Sequence, residues 1–262
     1  MYYVSLLVSI IISAILLKWM FSFKKDNPFP GRSGLWMVVG GFLSCIVAGF
    51  LTIALALLFF IIRIGPDTFI QIFNEIFTKH TADMLSNLMA NSKRTLLGNF
   101  LGTLVNVALV EEFCKLFVMT RFTKKPGITN NRFDVVLCSA LVGTGFQIWE
   151  DLSYASGNLI SAIARALTPF HFVFGVIMGF FYSIGKKTGN RLYYVLALLI
   201  PGLIHTLFDF SISSIDIEPN MVILMFVMMI VMFVLTVVMI IKMNKWKNDS
   251  VMNEPFNNNM DI

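Results

Sequence analysis

Charge is scarce in this sequence. Only 13% of its 262 residues are Asp, Glu, Lys or Arg, about half the share of an ordinary water-soluble domain. A chain so poor in strongly solvated side chains does not cover the surface of a soluble globule. Cysteine is scarcer still: Cys45, Cys114 and Cys138 are the full set, with no Cys-x-x-Cys pair among them. That excludes a disulfide scaffold and the usual thiol-based metal or redox motifs, and leaves three small packing residues within apolar runs. Histidine occurs three times, at 80, 171 and 205. No internal repeat and no segment long and polar enough for a soluble domain is present. The formal charge of +5 comes from short basic clusters between apolar runs, without an interleaved recognition motif. Such clusters suit an anionic membrane surface, not a nucleic acid.

What is abundant is apolar: 57% of residues are hydrophobic, with 26 phenylalanines and 16 methionines. A bilayer core about 30 Å thick takes roughly 20 helical residues. Seven runs approach that length, at 2–22, 34–62, 97–121, 133–155, 166–185, 192–212 and 220–241. The first lacks an N-terminal positive charge and ends at Lys24 and Lys25 without a small-residue cleavage site. It reads as an uncleaved span and not as a signal peptide. Cytoplasmic loops retain Lys and Arg, and alternating the loops puts 13 basic residues on one side and 5 on the other. The expected fold is therefore all-α, a polytopic membrane protein of about seven transmembrane helices, N-terminus outside and C-terminus cytoplasmic. Residues 1–262 form one integral membrane domain, with a polar, Asn-rich tail at 247–262 expected to be disordered.

Between the second and third spans, Phe69, Ile70, Phe73, Ile76, Phe77, Met84, Leu85, Leu88 and Met89 recur at three- to four-residue spacing. This predicts an amphipathic helix lying on the outer interface, with His80 on its solvated side.

Ionisable residues inside spans are rare and face the bundle interior or a water-filled site. Here they form a set. The third run holds Glu111, Glu112 and Lys115, the fourth Glu150 and Asp151, the fifth His171, and the sixth His205 and Asp209. At about 1.5 Å per helical residue, both glutamates of the third run fall near mid-membrane. His205 falls roughly 20 Å from the inner end of its span, Glu150 and Asp209 roughly 26 Å, and His171 about one turn from the outside. Four helices thus contribute to one polar layer in the middle and outer half of the bilayer.

Glu111 and Lys115 are four apart, which predicts an ion pair on one helical face and leaves Glu112, turned away by about 100°, free to handle water. His205 and Asp209 share the same spacing, so the carboxylate can orient the imidazole. Asp151 reads as a solvated residue at the helix end. Gly143 and Gly145 precede Glu150, and Gly175 and Gly179 follow His171, at spacings that permit close helix approach. Pro201-Gly202, just before His205, predicts a kink. Two imidazoles with carboxylates suit zinc, and a further glutamate can take the proton of a bound water, a site that hydrolyses amides. A proton- or cation-coupled transporter using the same Glu/His cluster, or a scaffold whose polar layer locks helices together, has the same composition.

The segments Glu111-Glu112-x-x-Lys115, Phe146-x-x-x-Glu150, His171-x-x-x-Gly175 and His205-x-x-x-Asp209 stand in that order on successive spans. This pattern resembles the PrsW family of intramembrane proteases, within the superfamily of CAAX prenyl endopeptidases and bacteriocin-processing proteins. It covers about residues 97–212. The resemblance implies site-1 cleavage of a single-span anti-sigma factor near the outer face in envelope-stress signalling. Carried over by position, it implies Glu111, Glu112, Glu150, His171 and His205 as catalytic groups. Lys115, Asp209, Phe146 and Gly175 are then supporting residues, and Glu150, His171 and His205 the holders of a metal, zinc by chemistry. The CAAX branch carries Arg, His and Asn where this chain has Lys115, Glu150 and Asp209. That departure argues against prenylated substrates and leaves both a metal-bound and a glutamate-activated water open.

Overall fold

The computed structural model describes residues 2–65, 95–154 and 168–256. The expected interfacial helix at 69–90, with His80, and the last six residues of the tail lie outside the described residues. Long helices coincide with the expected runs: α1 (Tyr2–Ser22), α2 (Ser33–Ile64), α3 (Leu96–Gly102) continuing into α4 (Leu109–Thr123), α5 (Arg132–Tyr154), α6 (Phe170–Thr188), α7 (Leu192–Ser213) and α8 (Met221–Trp246). A short α9 (Ser250–Asn253) follows. Among the described residues the only β pairing is an isolated bridge between Asn131 and Pro255. Among the described residues, four helices can cross a membrane by length and composition alone: Ser33–Ile62, Arg132–Tyr154, Leu192–Ser213 and Met221–Trp246.

Local chemistry places the ends. Thr95 caps α3, its hydroxyl accepting the Gly98 N–H at 3.1 Å, and Asn131 caps α5 by accepting the Asp134 N–H at 2.8 Å. α6 closes at Gly189, whose φ of 69° is the left-handed conformation that glycine adopts without steric cost. Between α3 and α4 the chain runs as a π-helix over Thr103–Ala108. A π turn widens the helix and weakens its own ladder; here the Asn106 carbonyl accepts a bond from the Thr52 hydroxyl of α2 at 2.7 Å.

Backbone-to-backbone approach assembles the centre. α5 lies between α2 and α6. A Cβ on Gly41 would stand 2.0 Å from the Val142 carbonyl oxygen, and one on Gly145 2.0 Å from that of Val38. On the other face a Cβ on Gly143 would stand 2.1 Å from the His171 carbonyl oxygen, and one on Gly175 2.5 Å from that of Ser139. Without a hydrophobic driving force between helices in lipid, such contact supplies the packing energy. α4 and α7 complete the ring around the polar layer, and α8 leans on α6 and α7 from outside.

One expectation changes here. The tail is ordered through Phe256: Asp249 caps α9 by accepting the Val251 N–H at 2.8 Å, Met252 is buried, and the Phe256 N–H donates to the Asn130 carbonyl at 2.9 Å. Glu254 also pairs with Lys187. Its polar composition conceals these specific partners, Asn130 on the α4–α5 loop and Lys187 in α6. α7 runs as one helix through Pro201, and Gly202 packs its bare Cα against Leu109 of α4.

Candidate active site

Consecutive residues on a helix diverge by about 100°, so Glu111 and Glu112 at the start of α4 face different neighbours. Glu112 is fully buried, and its Oε1 accepts a bond from Lys115 Nζ at 2.6 Å. This corrects the expected Glu111–Lys115 pair. Positions three and four apart share a face, and the choice between them is made by what surrounds Lys115. Its ammonium is 2.6 Å from His171 Nδ1 and 4.1 Å from the centre of the Phe146 ring, and both draw it toward Glu112.

The Glu112–Lys115 pair orients both histidines. Lys115 meets Nδ1 of His171, and Glu112 Oε1 lies 3.1 Å from Nδ1 of His205. A carboxylate only accepts, so Glu112 makes His205 Nδ1 a donor and leaves a lone pair at its Nε2. Both Nε2 atoms turn toward carboxylates: His171 Nε2 is 2.5 Å from Glu150 Oε2, and His205 Nε2 is 3.1 Å from Asp209 Oδ2. Aromatic rings wall the imidazoles. Phe146 lies 4.6 Å from the His171 ring, and Phe174 stacks on His205 at 5.0 Å.

Glu111 is the glutamate that approaches both Nε2 atoms. Its Oε2 is buried, 4.0 Å from His171 Nε2 and 3.9 Å from His205 Nε2, and has no hydrogen-bond partner among the described residues. An unpaired buried carboxylate oxygen is costly; a water proton or a cation would satisfy it. Glu111, His171 and His205 each offer an atom within 4.8 Å of the others. Two imidazoles and the Glu111 carboxylate form a donor set that fits zinc, with Glu150 beside His171 and Asp209 beside His205. Of the expected set, His171 and His205 fall in this group together with Glu111, while Glu150 meets the Nε2 of His171. A cavity of about 10 Å³ lies against this cluster, lined by Glu150, Phe170, His171, Phe174, His205, Phe208 and Asp209.

Asp151, expected to be solvated, is buried and accepts a bond from Gln147 Nε2 at 2.7 Å. The other end of the same amide accepts the His171 N–H at 3.1 Å. Gln147 ties α5 to the first turn of α6, and sequence reasoning missed it. Its signal was a polar, uncharged residue three positions before Glu150 and four before Asp151. Gly143 and Gly175, on the same α5–α6 seam, let the His171 backbone come close enough for that bond. The cysteines are free thiols, Cys114 and Cys138 buried and Cys45 half-buried.

A family model described as PrsW family intramembrane metalloprotease matches residues 33–239. The chain belongs to the PrsW family. It is 37% identical over 115 residues to "Protease PrsW" of Geobacillus kaustophilus, an alignment covering 42% of this chain and 51% of that protein. It is 34% identical over 104 residues to "Protease PrsW" of Halalkalibacterium halodurans, covering 38% and 48%, and 26% identical over 125 residues to that of Bacillus subtilis, covering 45% and 57%. The chain thus spans about half the length of the curated relatives it matches. No solved structure matches it. Membership of the PrsW family, together with the apolar helices, makes this a multi-pass integral membrane protein.

Proposed function

We propose that this PrsW-family chain is an intramembrane endopeptidase that hydrolyses a peptide bond of a single-span membrane protein near the outer face. The observation that carries the reading is Glu111 Oε2, buried, unpaired and equidistant from the two Nε2 atoms. His171, His205 and Glu150 would hold zinc, and Glu111, the glutamate without a fixed partner, would take the proton of water. When bound, zinc lowers the pKa of a water and polarises the substrate carbonyl. Glu111 accepts the proton as the water oxygen bonds to the carbonyl carbon, then returns it to the amine as the C–N bond breaks. General base action of this kind contributes about 10²–10⁴-fold. Glu112 and Lys115 hold the two imidazoles at their Nδ1 atoms, Asp209 faces the Nε2 of His205, and Gln147 fixes the backbone at His171.

Depth supports an outer-face cut. His171 is in the first turn of α6, whose other end carries Lys186 and Lys187, and Glu150 is in the last turn of α5, which begins at Arg132. With basic ends cytoplasmic, the cluster sits in the outer half and the N-terminus lies outside. We assign the substrate class as a single-span anti-sigma factor, cut first at its outer side under envelope stress. The test is full-length protein in liposomes with a single-span reporter, its fragments mapped by mass spectrometry. A cut in the outer third of the span, absent with His205→Ala, is the expected result; a cut at the cytoplasmic end, or one that survives His205→Ala, refutes it.

A further inference from the structure

The cavity beside the His/Glu cluster is about 10 Å³, the threshold at which a site holds one water of roughly 10–15 Å³ on the same measure. It has room for the attacking water and none for a peptide. Two rings close it. Phe170, the first residue of α6, and Phe208 of α7 pack at 4.2 Å between centroids with a 54° tilt, and each is 7% exposed. Each is covalently next to a residue of the site, Phe170 to His171 and Phe208 to Asp209. On this side the cluster reaches the outside, with the Glu150 and Asp209 side chains 20% and 32% exposed.

We propose that Phe170 and Phe208 form an aromatic gate and that this pair determines which side chain is accepted beside the scissile bond. The inference rests on the protease reading. Reaction requires the carbonyl carbon about 3–3.5 Å from the attacking water, and in the closed arrangement the ring pair occupies the approach to that position. A substrate enters only as the rings part. A glycine or alanine next to the scissile bond needs the smallest displacement; a bulky side chain must take the volume of a ring, against Phe174 behind it. The protein therefore favours small residues at that position, and the two phenylalanines are specificity-determining residues.

The test uses full-length protein in liposomes and two single-span reporters that differ only in Ala or Phe before the scissile bond. Wild type is expected to favour the Ala reporter by about tenfold or more in kcat/KM, within the range by which a pocket discriminates side-chain size. Phe208→Ala should bring the ratio to within about threefold, mainly by raising kcat/KM of the Phe reporter, with Phe170→Ala acting in the same direction. Phe208→Leu, which keeps an apolar side chain and so guards against misfolding, should give an intermediate ratio. An unchanged ratio in variants that still cleave, Phe208→Leu included, overturns the gate and leaves the protease reading standing. Wild type that cleaves neither reporter overturns both.

Discussion

α5 and α8 can both cross a membrane, yet they are opposites. α5 has a mean hydropathy of 1.2 over its most apolar window and 78% of that window is buried inside the protein; α8 has 3.1 and 17%. In water the more apolar helix would be the one inside. In lipid the order inverts, because hydrocarbon accepts Val, Ile and Phe without cost whereas Asp134, Ser139, Thr144, Gln147 and Asp151 of α5 need protein partners. α8 buries only Met228, Met232, Thr236 and Met243. The least apolar span is therefore the place to look for chemistry, and α5 does supply Phe146, Gln147 and Glu150 to the cluster.

The comparison can be broken most severely at the charge that binds α4 to the α5–α6 centre. Lys115→Met leaves the Glu112 carboxylate buried without its counter-charge, which costs about 3–5 kcal/mol. Unfolding of the reconstituted protein in a denaturing detergent series should show it, and Glu112→Gln added to Lys115→Met should recover most of the loss. At the α5–α6 seam, Gly143→Ala puts a Cβ 2.1 Å from the His171 carbonyl oxygen. The helices must part, costing about 1–3 kcal/mol of overpacking, and cleavage should fall further than stability because His171 moves with its backbone. The smallest effect belongs to α8. Ile230, 65% exposed on its lipid side, should tolerate Ala within about 0.5 kcal/mol and with unchanged cleavage. A loss at Ile230 equal to that at Gly143 would erase the distinction.

Much of this was legible before any coordinates. Apolar run length marked the long helices, and the order Glu111, Glu150, His171, His205 marked the four that converge, since ionisable residues in spans are rare enough to stand out. What was not legible depended on neighbours. Helical spacing places Lys115 on a face with both Glu111 and Glu112, and only the His171 nitrogen and the Phe146 ring, brought by other helices, decide for Glu112. The ion pair is accordingly with the other glutamate, Glu112. Asp151 looked solvated because helix ends usually are; the Gln147 amide buries it. The tail from 247 reads as disordered by composition, but Asp249 and Asn130 hold it through specific hydrogen bonds that no composition reveals.

The central claim is that His171 and His205 hold a metal while Glu111, not Glu112, handles the water. It is tested most directly by elemental analysis of full-length protein and its His171→Ala and Glu111→Gln variants, each beside its cleavage of one single-span reporter. The account predicts about one zinc per wild-type chain, as expected of a single catalytic zinc site, zinc and cleavage both lost in His171→Ala, and zinc kept but cleavage lost in Glu111→Gln. Wild-type cleavage by a metal-free preparation, or by Glu111→Gln, would contradict it.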